Sequence, residues 1–392
     1  MRMEKLLVIK KSRLLTIIFF LINVHKFYGQ NSDLNFSVNG YIKYLPSYLD
    51  YNLKPNKLIP PSMLESQKIH LIHNRINLRG FYGNNFSLGF EFRNRMMFGD
   101  IQTIQSDGGL VDMSFYIFNE KNFILHSMID RLWIKYQKNK LEISLGRQRV
   151  NWGINTIWNS NDLFNAYNFI DFDYVERPGS DVLRVIYSGD NLSSFEFIYM
   201  PNKSRRNIYA AMYKLNKIGY DFQFIAANYF DDLVLGGGWA GNIKKAGFKG
   251  ELSYFINNNF NNTLSLSTSL DYSFKDGYYL LGSYLYNSQG SNSPGLLNFI
   301  NITDNILSPK NLMPSKNSYL LQISKSISPP LNSSLTIMYG SGINFLFLSP
   351  NISYDINDKF DIGIIGQLFF MEDSGSLTNL LRGIYLQTRF SF

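Results

Sequence analysis

The end of the chain alternates without a break. Ile384, Leu386, Thr388, Phe390 and Phe392 share one face, and Gly383, Tyr385, Gln387, Arg389 and Ser391 share the other. A side-chain period of two is the geometry of a β-strand. The pattern recurs in residues 359–370, where Phe360, Ile362, Ile364, Leu368 and Phe370 oppose Asp361, Gly363, Ile365 and Gln367. In residues 263–274, Leu264, Leu266, Leu270, Tyr272 and Phe274 oppose Ser265, Ser267, Ser269, Asp271 and Ser273. In residues 86–95, Phe86, Leu88, Phe90 and Phe92 oppose Ser87, Gly89, Glu91, Arg93 and Arg95. Length constrains the fold further than period does. Runs of about 9–13 residues exceed the usual strand of a soluble sandwich and match a tilted strand crossing a bilayer. The apolar faces suit lipid, and the Ser, Gly, Gln and isolated charges of the other faces suit a wet lumen.

The connections point the same way. Eighteen candidate strands run from 36–44 to 381–392. After the first, third and fifth come the long stretches 45–67, 99–125 and 151–180. After the second, fourth and sixth come the tight turns Gly83-Asn84-Asn85, Lys138-Asn139-Lys140 and Gly189-Asp190-Asn191. Later, Lys275-Asp276 is a tight turn and 288–316 a long loop. Short turns at one end and long loops at the other characterise an outer-membrane barrel. The fold expected is therefore all-β, a closed transmembrane antiparallel β-barrel of 16–18 strands, so that no unpaired backbone meets hydrocarbon. A barrel of that size is too wide for its wall side chains to fill.

Composition narrows the alternatives. Aromatics are 16% and charged residues 17%, against the charge-rich, aromatic-poor signature of disorder. No cysteine is present, which excludes a disulfide scaffold and a thiolate metal or redox site. Beyond residue 24 no apolar run approaches the roughly 18 residues of a membrane helix. Residues 1–29 read as a signal peptide: Arg2, Lys5, Lys10, Lys11 and Arg13 precede the apolar run Leu14–Val24. Residues 30–392 then form one barrel domain. The leader holds six Lys/Arg and one Glu, so the formal +8 falls to 8 − 5 = +3 for the remainder. That leaves no case for a nucleic-acid partner.

Three constellations bear on function. The turn at 83–85 sets Arg75 opposite Arg93, Asn77 opposite Glu91 and His73 opposite Arg95, with Arg79 further along the same polar face. Like charges directly opposed destabilise a sheet. The pattern reads either as a basic ladder lining the pore for anionic solutes or as lumen polarity balanced by acids from loops. His70, His73 and His126 lack metal-binding spacing, and a Ser–His hydrolase site has no specific support, so no enzyme, cofactor or metal is expected. Gly236-Gly237-Gly238-Trp239 is not followed by a helix, so it is no phosphate loop. It is expected to bend a strand and set Trp239 at the membrane interface.

The third constellation is Leu145-Gly146-Arg147-Gln148-Arg149-Val150-Asn151-Trp152-Gly153, continuing to Asp181. This stretch resembles a group of porin-like outer-membrane barrels carrying a Gly-Arg-Gln…Trp-Gly signature at a strand end. The resemblance covers residues 145–181 and the general barrel pattern. It implies the outer membrane of a Gram-negative bacterium and brings no substrate with it. Leu141, Ile143 and Leu145 face lipid, and the same parity would send Arg147 and Arg149 there too. Either the strand has left the hydrocarbon by then, or a bulge at Gly146 re-aims them. The following loop holds Asp162, Asp171, Asp173, Glu176 and Arg177 among aromatics. So apolar a loop is expected to fold into the mouth, where with Arg147 and Arg149 it forms a constriction. The function read from these features is passive diffusion of small hydrophilic solutes, anions among them. The alternative is a non-conducting barrel that binds surface polysaccharide or an assembly or secretion partner. Expected partners are outer-membrane lipid and the barrel-assembly machinery, the latter through the strand ending at Phe392. The sequence shows no interface signature and leaves a homo-oligomer open.

Overall fold

The structure is a computed structural model, and it describes residues 33–53, 65–101, 109–165, 179–204, 206–257, 261–294, 308–373 and 375–392. The signal peptide expected at 1–29 lies outside the described residues. The strands are β1 (Leu34–Tyr51), β2 (Gln67–Tyr82), β3 (Phe86–Gly99), β4 (Ser114–Glu120), β5 (Phe123–Lys138), β6 (Leu141–Gln148), β7 (Ser180–Ser188), β8 (Ser194–Met200), β9 (Ile208–Lys217), β10 (Tyr220–Tyr229), β11 (Asp232–Ile243), β12 (Ala246–Asn257), β13 (Thr263–Ser273), β14 (Tyr278–Asn287), β15 (Asn317–Ser328), β16 (Leu331–Ser341), β17 (Phe345–Asn357), β18 (Phe360–Asp373) and β19 (Ser376–Ser391).

Eighteen of them form a closed antiparallel barrel in which each pairs with its neighbour in sequence and β19 pairs back onto β1. The closing seam is completed by Phe392, whose N–H donates to Gly40 O and whose own O accepts from Gly40 N–H, both at 3.0 Å. A Cβ on Gly40 would meet the Phe392 ring, so only glycine leaves that ring its seat. β4 stands apart from the eighteen. β3 pairs directly with β5, and β4 takes the opposite edge of β5 at Phe123–Met128, beyond the point where β6 has ended.

Several boundaries differ from expectation. β1 runs on through Pro46 to Tyr51, so residues 45–51 are wall rather than loop. The ladder to β19 skips Leu45 and Pro46, where the missing proline N–H costs no bond. The stretch expected as the loop 99–125 contains β4 and the start of β5. The long-loop end also has the tight connections 230–231 and 342–344, so the alternation is less complete than the early strands imply.

The outer face is apolar. Ile134, Leu145, Leu235, Ile364 and Ile384 are exposed at mid-wall. Aromatics gather towards both ends: Phe86 and Tyr136 pack as a tilted pair at 4.9 Å near the short turns, and so do Tyr199–Tyr209 (5.0 Å) and Tyr284–Tyr319 (5.3 Å) near the long loops. Such girdles sit where one end of the ring is wet and the other apolar. The wall is uneven: β1 has 18 residues and β2 and β19 have 16, but β6, β7 and β8 have 8, 9 and 7.

An eighteen-strand wall tilted by about 40° is about 36 Å across between backbones, so its core cannot come from wall side chains alone. It comes from segments folded inward at the long-loop end. One apolar cluster joins Ile157, Trp158, Leu312 and Met313 to wall residues such as Leu281, Phe345, Phe347 and Phe369. The second joins Val150, Trp152 and Leu163 to Val182, Ile198, Met212, Ile225 and Phe255.

Candidate functional site: the in-folded loop and the basic wall

Each member of the Gly-Arg-Gln…Trp-Gly stretch helps turn the chain out of the wall and into the lumen. Gly146 has φ +116°, a backbone conformation that side chains rarely adopt. Neither ladder of β6 shows a register shift there, so no bulge re-aims the strand, and Arg147 stands opposite Leu132 on one side and Asp181 on the other. Arg147 is buried at the seam where β6 stops and β4 takes over the edge of β5. Its guanidinium binds both oxygens of Asp181 (2.8 and 2.9 Å) and donates to Val111 O at 2.6 Å. The N–H of Leu110 donates to the same carboxylate at 2.7 Å. A Cβ on Gly109 or Gly179 would collide with Arg147. Gln148 turns back to accept from Ser144 Oγ at 2.7 Å.

The indole of Trp152 donates to Glu196 at 2.9 Å, its carbonyl accepts from Gln223 at 2.9 Å, and its ring meets Phe164 edge-on. Glu196 is in turn held by Arg184 at 2.7 Å. A Cβ on Gly153 would strike Asn159. Asn165 Nδ2 donates to Val150 O at 2.8 Å and ties the two ends of the segment together. Residues 150–165 are thus a compact loop packed by its own side chains.

That loop docks on the inner faces of β11, β12 and β13. The carboxylate of Glu251, with 0% exposure, accepts the N–H groups of Ile154 and Asn155 at 2.5 Å each on Oε1 and that of Asn161 at 2.8 Å on Oε2. Asn155 bridges Ser267 and Ser269 at 2.7 Å each. Ser160 meets Ser265 at 2.9 Å, and Asn161 donates to Gly237 O and accepts from Ser253, both at 2.8 Å. Both ladders of β11 run through Gly236–Gly238 without a register shift, so the strand carries no bulge there. The inward glycines clear space: a Cβ on Gly238 would lie 2.8 Å from Ile154 Cδ1, and one on Gly236 would lie 3.3 Å from Asn161 Oδ1. Trp239 points the other way and packs against Phe248 at 5.6 Å on the outer face. From the other side, Lys310 reaches Asp232 at the top of β11 and lies 5.5 Å over the Phe255 ring.

Across the lumen stands the wall of β1–β5. The expected register holds: Arg75 pairs with Arg93, Asn77 with Glu91 and His73 with Arg95. The opposed arginines are reconciled by two carboxylates. Arg75 bonds Glu91 on one side and Asp130 on the other, and Arg93 bonds Asp130 at 2.9 Å. Asp130 reaches them because β5 bulges there, slipping one residue between the Arg131–Glu91 and Ile129–Phe92 pairs. Both Asp130 and Arg131 then face inward, and Arg131 also bonds Glu91, at 3.2 Å. Arg75, Arg93 and Glu91 are no more than 2% exposed. Arg79 is partly exposed, bonds Glu91 and lies 5.3 Å over the Trp133 ring. His73 is buried with its ring edge-on to Tyr41, and Arg95 is partly buried in the row between His73 and His126.

Of the residues expected at the constriction, Arg147 is in the wall seam, Arg149 is exposed where the chain leaves the wall, and Asp162 is fully buried inside the docked loop. Asp171, Asp173, Glu176 and Arg177 lie outside the described residues. Glu251, Asp130, Asp181 and Glu196 were not anticipated. Glu251 carried one signal, its place on the polar face of an alternating strand.

No protein-family model and no curated protein matches the chain. Solved structures do. OccAB4 of Acinetobacter baumannii aligns with a TM-score of 0.57 at 10% identity, covering 93% of this chain and 100% of that one. OccK9 (OpdG) of Pseudomonas aeruginosa aligns with a TM-score of 0.59 at 11% identity, covering 91% and 98%. OpdQ of the same organism gives 0.57 at 8%, covering 91% and 97%. At such identities the likeness establishes the fold alone: this chain shares the barrel of these proteins.

Proposed function

We propose that the protein is a porin-like channel in the outer membrane of a Gram-negative bacterium, passing small hydrophilic solutes by passive diffusion. One observation carries the reading: a closed barrel with an apolar outer face and a polar inner wall receives residues 150–165, which dock on the inside of that wall. The fold shared with the Occ and Opd proteins supports it. In this reading residues 1–29 direct export and are removed, and the strand ending at Phe392 engages the assembly machinery. The narrow zone lies between the docked loop, with Arg147 and Arg149 at its base, and the wall bearing His73, Arg75, Arg79, Glu91, Arg93 and Arg95. Lys43, Arg75, Arg79, Arg93, Arg95 and Arg131 face Glu91 and Asp130 on the described inner wall of β1–β5, an excess of positive charge that favours anions.

The test is conductance of the purified, folded barrel in a planar bilayer. Discrete ionic steps are expected, growing when residues 151–180 are shortened. A barrel that stays silent after that trimming overturns the channel reading and favours a barrel that binds surface polysaccharide or an assembly partner.

A further inference from the structure

The docked loop meets the wall through two kinds of contact. One is apolar packing, which is non-directional and tolerates sliding. The other is a set of polar bonds that fix one position, and Glu251 is at its centre. Its two oxygens collect main-chain donors from both limbs of the loop, Ile154 and Asn155 on the way in and Asn161 on the way out. A fully buried carboxylate is costly unless its lone pairs are filled, and charge-assisted bonds to N–H groups are the strong kind. Undocking would return this carboxylate to lumen water, which solvates it well. The docked and undocked states are therefore balanced through this one group, more than through the neutral Ser–Asn contacts around it.

We propose that Glu251 is the positioning residue of the constriction, a wall carboxylate that latches the loop 150–165 in the lumen and so sets the width of the passage. The proposal rests on the channel reading for its effect on current, but not for its effect on the loop. Glu251→Gln keeps shape and volume while removing the charge and replacing one acceptor by an NH2 that faces N–H donors. The loop then loses its fixed seat.

Because the chain has no cysteine, introduced thiols report cleanly. Ser160 and Ser265, with oxygens 2.9 Å apart, take a near-isosteric Ser160→Cys/Ser265→Cys pair joining loop to wall. In the otherwise native barrel the disulfide should form readily. With Glu251→Gln its yield should fall, single-channel conductance should rise about twofold or more, and forcing the disulfide should return conductance to the native level. Glu251→Asp, which keeps the carboxylate, should lie between the two and guards against a barrel that fails to assemble. Folding is checked by mobility of the unheated protein on denaturing gels. Unchanged cross-linking and conductance in folded Glu251→Gln barrels would overturn the latch. Loss of cross-linking with no current in any variant would leave the latch standing and remove the channel.

Discussion

The wall of β2, β3 and β5 shows how one side chain decides whether a sequence is tolerable. Arg75 opposite Arg93 is unfavourable by itself, and Asp130 makes it a network by bonding both. Removing one member of a buried ionic set leaves the rest uncompensated, at a cost of about 3–5 kcal/mol. Asp130→Asn should therefore lower the urea midpoint of the lipid-reconstituted barrel. Asp130→Asn combined with Arg93→Met should recover much of the loss, since Arg75 then no longer stands opposite another arginine. A midpoint unmoved by Asp130→Asn would show that the network is not structural. The opposition of the two arginines was legible from the sequence, because a tight turn at 83–85 fixes which residues face each other. Asp130 was not. Read with strict alternation it falls on the lipid face with Leu132 and Ile134, and only the bulge brings it inside.

Among the elements, the loop 150–165 behaves as a preformed body delivered through one backbone hinge. Gly146 supplies the hinge, and a β-branched residue forced to φ +116° costs on the order of 1–3 kcal/mol. Gly146→Val should lower the urea midpoint, dissolve the Arg147–Asp181 seam and leave the loop poorly docked, seen as reduced Ser160→Cys/Ser265→Cys cross-linking. Gly237→Val is the control: a Cβ there meets only Gln223 O at 3.7 Å, so stability should hold or rise. Equal behaviour of the two variants would refute the hinge. That the loop enters the mouth could be read from its aromatics, but its landing place could not. Glu251 is some hundred residues further along the chain, and its polar-face position says nothing about which donors arrive there. β4 was missed for a related reason. Ser-Phe-Tyr-Ile-Phe-Asn-Glu lacks alternation and becomes a strand because β6 leaves the edge of β5 vacant beside it.

For the whole molecule, closure into a barrel of 16–18 strands was the most legible property, since most strands repeat the same lipid-and-water alternation and a sheet in lipid leaves no open edge. The field inside the closed wall is the testable part. Replacing Arg79 and Arg95 by Gln should move the reversal potential in a salt gradient toward zero, and raising ionic strength should shrink the difference from the native channel. A reversal potential unaffected by both changes would discard these arginines as the source of anion preference. The unequal strands have an effect on the surroundings as well. On β14 the outward aromatics Tyr278 and Tyr286 are eight residues apart, but on β8 Phe195 and Tyr199 are four apart, as are Tyr209 and Tyr213 on β9. At about 3.3 Å per residue and a tilt of about 40°, the apolar belt is about 20 Å tall on one flank and about 10 Å on the other. No flat bilayer of constant thickness fits such a belt. Lipids must shorten beside β6–β9, or the barrel must lean toward that flank. Either deformation stores elastic energy that falls when two thin flanks share one patch of compressed membrane.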